Sequence, residues 1–247
     1  HATIRRQRQM CIRDSGDANG TNVNGQNYVS WNWKAANSAG VTNNNGTIQS
    51  TVSANAAAGF SIIKWTGSGS AGTVGHGLSA APVLTIRKVY SGTGDWYVHT
   101  TLIDGSLDFL KINTTDAKAD SSLTGFTSTT VGVGGDTSST VLYAFTSIKG
   151  YSKFGSYTGN GNANGVFVYT GFKPALVIRK RTDTTADWRI DDNKRPGYNV
   201  IPHTLFPNGN NSETSSTHYE TDFLSNGFKC YGTVSYTHLR AHETSEN

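Results

Sequence analysis

The sequence predicts an all-β protein, an antiparallel β-sandwich built from two related units in tandem. Three observations carry that expectation. Short runs of alternating apolar and polar residues recur along the chain, and Gly, Asn, Asp and Ser clusters separate them as turn chemistry requires. No run shows a capped 3.6-residue apolar period, so strands follow one another without helices between them, which implies antiparallel sheets. The chain also repeats itself at a shift of 92 residues from Trp65 to Trp96, without a gap.

The first strand-like run is Tyr28–Lys34, where Val29, Trp31 and Trp33 share one face. It has no partner strand upstream and reads as the closing strand of a missing preceding domain. Residues 36–58, rich in Asn, Gly, Ser, Thr and Ala, read as the linker that follows, so 16–58 form one segment. The first unit spans 59–149 and the second 150–234. Across the shift Trp65 is matched by Tyr157 and Thr66-Gly67 by Thr158-Gly159, while Pro82 returns as Pro174. Ile86-Arg87-Lys88 returns as Ile178-Arg179-Lys180, and Asp95-Trp96 as Asp187-Trp188. A weaker match at different spacing relates Phe126-Thr127-Ser128 to Phe223-Leu224-Ser225. Strands are expected at 60–66, 83–89, 94–100, 107–112, 139–148, 151–158, 164–170, 187–191 and 226–231. In the second unit Leu176, Ile178 and Lys180 take the role of Leu84, Ile86 and Lys88. About 90 residues suffice for a seven- or eight-stranded sandwich; one larger sandwich made from both copies is the alternative. The second unit is expected to lack its last strand.

The 247 residues include 28 Gly, 5 Pro and 2 Cys, with 15% charged residues and a net charge of +4. The aromatic share of 11% is too high for a disordered polyelectrolyte, and no apolar run is long enough for a membrane helix. The ends bias the charge. The string Arg5–Ser15 resembles a translated sequencing adapter, as does Val234–Asn247, and residues 1–15 and 235–247 are expected to be artefacts of that kind. Without them 16 basic residues face 14 acidic ones, which leaves no electrostatic footprint for nucleic acid. Cys11 is lost with the first string, so Cys230 stands alone and no disulfide is expected. His238 and His242 have half the spacing of a zinc site but lie in the second string. No metal and no cofactor are expected.

The residues carry a resemblance. Gly59-Phe60-Ser61-Ile62-Ile63-Lys64-Trp65-Thr66-Gly67, then Val74-Gly75-His76-Gly77-Leu78 and Ala81-Pro82, resemble an uncharacterised domain family of marine bacteriophage tail-fibre and other virion structural proteins. Gly150–Gly161, Phe167–Arg181 and Asp222–Lys229 resemble the same family, and Tyr28–Ala35 is similar to the closing strand of a preceding lectin-like repeat in such proteins. The resemblance covers 28–34 and 59–233. It implies a lectin-like, jelly-roll-like sandwich in a virion, with other virion proteins as partners and a homotrimer as the assembly. It supplies no catalytic residues.

Chemistry is sparse. Gly67-Ser68-Gly69-Ser70-Ala71-Gly72 matches G-x-G-x-x-G, but a dinucleotide site needs a helix to open there, and Thr73-Val74-Gly75-His76 reads as strand or turn; the loop of a hairpin is the plainer reading. Asp95 and Asp187 could pair as glycosidase acids, yet each precedes a Trp at the same place in its own copy and reads as a turn residue. Asp191-Asp192 point to opposite faces of a strand. No nucleophile–base pair is readable, so the chain is expected to be no enzyme.

Binding has better candidates. Trp65, Tyr97, Tyr157 and Tyr169 offer flat apolar faces on which sugar C–H groups pack, and His76 and His99 occur in the first copy alone. Asn160 and Asn162 lie in one Asn–Gly loop and 208–211 form another. Pro82, Asp95, Trp96, Pro174, Asp187 and Trp188 are kept by both copies and read as scaffold, with both Trp side chains in the core. Sequons at Asn19, Asn45, Asn113 and Asn210 read as polar loop sequence. The expected function is therefore a non-enzymatic virion module that binds a cell-surface polysaccharide, without nucleic acid and without membrane insertion. A purely structural spacer or decoration domain is the first alternative and a polysaccharide-degrading enzyme the second.

Overall fold

The seven-residue run Ser139–Phe145 buries every second side chain, and the larger sheet is assembled around it. The structure is a computed structural model that describes residues 24–25, 27–36, 39–195, 199–215 and 220–231. The chain divides at Asn32/Trp33 into two units. In the first, Asn24 and Gly25 form a turn and Asn32 bonds Ser30 Oγ (3.2 Å).

Trp33–Asn247 holds every strand among the described residues. In chain order these are β1 (Val41–Asn43), β2 (Ser50–Asn55), β3 (Phe60–Thr66), β4 (Gly72–Gly75), β5 (Leu84–Val89), β6 (Tyr97–Thr100), β7 (Asp108–Lys111), β8 (Ala119–Asp120), β9 (Thr130–Val133) and β10 (Ser139–Phe145). There follow β11 (Phe167–Tyr169), β12 (Leu176–Lys180), β13 (Trp188–Asp192), β14 (His203–Thr204), β15 (Thr214–Ser215), β16 (Thr221–Leu224) and β17 (Gly227–Cys230). One turn of 3-10 helix, Ala56–Ala58, separates β2 from β3. Gly59 closes it at φ 65°, and a Cβ there would lie 2.5 Å from Thr146 Oγ1, so a side chain is excluded twice over.

Eight strands form one antiparallel sheet in the order β1-β2-β3-β10-β5-β6-β7-β8. The pair β4–β9 makes a second layer. Between the layers Val52, Ile63, Trp65, Val74, Leu78, Val131, Val133, Leu142 and Ala144 form the main core. Each large side chain so buried contributes about 1.5–3 kcal/mol. The expected all-β sandwich with antiparallel sheets is what the chain forms, and no α-helix occurs among the described residues.

The remaining strands form small sheets: β11-β17-β16, β12-β13 and β14-β15. Ile201, Phe223 and Phe228 pack together there. Trp188 leaves that half and fills a core beneath Val98 and Leu110 of β6 and β7, with its Nε1 donating to Lys111 O at 2.8 Å. The two repeats thus share a core.

The hairpins matched by the 92-residue shift have one register. Ile86 faces Val98 and Arg87 faces Tyr97; Ile178 faces Ile190 and Arg179 faces Arg189. Pro82 and Pro174 are both buried beside them. Phe126↔Val131 likewise corresponds to Phe223↔Phe228.

Four expectations are corrected. Residues 28–34 form no strand; Tyr28, Val29 and Trp33 are exposed, and Trp33 meets Phe145 edge-on at 6.4 Å. Residues 41–55, read as linker, supply β1 and β2, because Val52 reaches the core and Ser50 Oγ caps Gly75 O (3.0 Å). Residues 151–158 form no strand, only a bridge from Ser152 to Ile148. Trp96 is half-buried under Lys88 Nζ (5.7 Å) instead of filling the core as Trp188 does. The adapter-like strings 1–15 and 235–247, with Cys11, His238 and His242, and the second unit's closing strand lie outside the described residues.

Candidate functional site

Strand parity builds the main groove. Arg87 on β5 stands opposite Tyr97 on β6, and His99 on β6 stands opposite Phe109 on β7. These four side chains share one face of the sheet, since Ile86, Val98 and Leu110 occupy the other with Trp188. Their rings touch: Tyr97–His99 at 6.1 Å, Tyr97–Phe109 at 5.6 Å and His99–Phe109 at 6.1 Å. The Arg87 guanidinium lies 5.2 Å from the Tyr97 ring centre, a cation–π contact.

The facing wall is loop. Asp120 ends β8 and residues 121–123 follow it, and Gly134, Gly135 and Asp136 follow β9; together they enclose an open groove of about 430 Å³. The G-x-G-x-x-G run shapes this wall. Gly69 N–H donates to Asp136 O at 3.0 Å, and a Cβ on Gly67 would sit 2.0 Å from that same oxygen. Its first glycine therefore serves a close backbone approach, and the run leads into strand β4. It is not the loop of a hairpin, because it crosses from the large sheet, where β3 pairs with β2 and β10, to β4, which pairs with β9. Asp136 Oδ1 accepts the Ser138 N–H at 2.9 Å.

Burial, then the Arg87 charge, pushes the His99 pKa down to about 4. Its imidazole is neutral at pH 7 and acts as wall. Asp120 at the rim belongs to an acidic cluster with Asp104 and Asp108, whose carboxylate oxygens lie within 4.8 Å of one another. Lys118 Nζ bonds all three, Asp108 at 2.8 Å, Asp120 at 3.4 Å and Asp104 closest. The lysine supplies the positive charge that a cation would bring, and those bonds hold the Asp104 carboxyl well below its ordinary value.

A second groove, of about 400 Å³, lies in the other repeat among Tyr157, Asn160, Asn162, Arg189, Glu220 and Tyr231. Its Asn loop bonds to itself: Asn160 Oδ1 accepts from Asn162 N, Asn162 Oδ1 from Asn164 N, and Asn160 Nδ2 donates to Asn164 O, each at 3.1 Å. Tyr157 is 44% exposed at its edge. Burial raises the phenol's pKa, against the lowering effect of Arg179.

The candidates thus divide. Tyr97 and His99 meet in the first groove; Tyr157, Asn160 and Asn162 meet in the second. Trp65 is no ligand platform, because parity turns it into the main core at 6% exposure. His76 is no ligand contact either: it is fully buried, Nδ1 accepts from Leu78 N (3.0 Å), and Nε2 meets Thr127 O (3.2 Å). Tyr169, 66% exposed, lines neither groove. Asp95 and Asp187 do precede a strand, each bonded to an asparagine amide, Asn113 and Asn208, at 2.8 Å. In the first copy Lys111 adds a 3.0 Å ion pair to Asp95.

The residue reading missed Arg87, Phe109, Asp120 and Asp136. A usable signal existed: across the repeat Arg87 is kept as Arg179, while Tyr97 becomes Arg189 and His99 becomes Asp191, so change around a constant arginine marks the place.

No curated protein and no solved structure matched the chain. Residues 7–237 match a domain of unknown function, DUF7483, and the chain accordingly belongs to that family.

Proposed function

We propose that this chain is a non-enzymatic saccharide-binding sandwich module of a phage virion, tail-fibre-like in role, and that the groove over β5, β6 and β7 is where a host-surface glycan sits. One observation carries the binding half: ring faces of Tyr97 and Phe109 lie beside Arg87, Asp120, Asp136 and Ser121 in one open groove. Apolar ring faces suit sugar C–H groups, and the polar groups suit hydroxyls. The virion half rests on the resemblance of 59–67, 74–78 and 150–161 to phage structural domains, from which other virion proteins and a homotrimer follow as partners.

The test is a glycan array probed with the full chain and with Tyr97→Ala. Binding to a cell-surface polysaccharide, weakened about tenfold or more by the substitution, is the expected result. An array on which nothing is retained would sink the binding half and leave the spacer reading, which the burial of Trp65 and Trp188 favours.

A further inference from the structure

The two repeats hold an arginine at one register position and treat it in opposite ways. Arg179, on β12, also borders a groove but is tied down from within. Its Nη2 pairs with the fully buried Asp191 carboxylate and donates to Thr221 Oγ1 at 2.9 Å, and its Nη1 donates to Cys230 Sγ at 2.9 Å. In the first repeat every one of these partners is changed or displaced. His99 stands where the shift puts Asp191. By the offset that relates Phe126↔Val131 to Phe223↔Phe228, Val133 stands for Cys230 and Thr124 for Thr221. Val133 belongs to the apolar core, Thr124 is exposed, and His99 is neutral. Among the described residues Arg87 makes no hydrogen bond and no ion pair; it lies half-buried over Tyr97 in the groove wall.

A partly desolvated guanidinium without a counter-charge favours an anion from outside, and its planar fork matches the paired oxygens of a carboxylate or a sulfate. We infer that the groove takes an acidic saccharide, with the carboxylate or sulfate of one sugar unit on Arg87 and that unit's ring against Tyr97. The inference rests on the saccharide reading above and names the ligand's class. Asp120 and Asp136 on the facing wall limit the groove to one anionic group at Arg87. They suit hydroxyl donors along the rest of the chain and disfavour a run of adjacent acids.

The test uses the full chain and three probes: an oligosaccharide with one uronate per disaccharide, the same compound carboxyl-reduced, and its sulfated counterpart. Titration calorimetry should show at least one acidic probe bound about tenfold more tightly than the reduced one. The stronger of the two acidic probes identifies the anion. Arg87→Gln, which breaks no internal hydrogen bond or ion pair, should erase that preference, so that the acidic and reduced probes bind equally. His99→Asp places in the first repeat the carboxylate that Asp191 supplies in the second, and it should erase the preference while the chain still unfolds cooperatively. Equal affinity for reduced and acidic probes overturns the inference and leaves the saccharide reading standing. Failure of all three probes beside a neutral hit on the array also overturns the inference alone. A blank array removes both.

Discussion

The hairpins β5–β6 and β12–β13 pair in the same register. They also share a buried proline before them and an arginine at the same position. They differ in what the arginine meets. In the second, Asp191 neutralises Arg179 inside the protein; burial works against the Arg179 charge, but the carboxylate outweighs it and raises the pKa. In the first, a neutral imidazole takes the carboxylate's place and the arginine in the groove wall has no internal counter-charge among the described residues. The same hairpin register can thus carry an arginine locked by internal partners or one without them, according to the residues placed around it.

The largest effect that tests this contrast is on Asp191. Asp191→Ala leaves Arg179, 12% exposed, without its counter-charge, and should cost about 3–5 kcal/mol in urea denaturation. Arg87→Ala should cost no more than about 1 kcal/mol, the scale of its cation–π contact with Tyr97. Equal losses at both positions would make Arg87 a structural residue and collapse the comparison.

His99 gives the next effect. Its pKa is lowered from 6.5 to about 4 in the folded chain. Between those values the unfolded chain binds a proton that the folded one excludes, so stability falls as pH drops from about 6.5 to about 4 and levels off below. The whole shift is worth about 3 kcal/mol. The second repeat has an acid at this position and no such histidine. Denaturation at stepped pH should therefore show a shallower slope for His99→Gln than for the parent chain. The slope will not vanish, because burial lowers the His76 pKa as well. Identical slopes would place the His99 ring in contact with water.

How much of this could be read beforehand depended on what each residue's partner was. Strands β3, β5 and β10 were legible because their own alternation marks the buried face. Strands β1 and β2 were not, because Ser50-Thr51-Val52-Ser53-Ala54-Asn55 carries almost no apolar signal and is held by pairing with β3. Tyr28–Lys34 alternates as well as any strand and forms none. Side-chain roles were harder still. Trp65 and Tyr97 are both strand aromatics, and only the position of the β4–β9 layer decides that the first is core and the second lines a groove. Tyr97 was found as an aromatic platform and His99 through a difference between the copies, whereas Arg87 escaped notice because both copies keep it.

The smallest effect concerns a feature the two hairpins have in common. Asn113 Oδ1 accepts the Trp96 N–H and its Nδ2 donates to Asp95 Oδ1, both at 2.8 Å. Asn208 does the same for Trp188 and Asp187, again at 2.8 Å. Asn113 lies 17 and 18 residues from the groups it clamps and Asn208 lies 20 and 21, so each ties a distant loop to the start of a strand. Loss of two such bonds, one of them to a carboxylate, costs about 1–2 kcal/mol at partly exposed sites. Asn113→Ala and Asn208→Ala should both fall in that range. Asn208→Ala should be the costlier, because its clamp seats the buried Trp188, whereas Trp96 is half-buried and Lys111 still holds Asp95. Thermal denaturation of the two variants side by side measures the difference. A larger loss at Asn113 would mean that the first repeat depends on its clamp more than the buried Trp188 depends on its own, which burial does not predict.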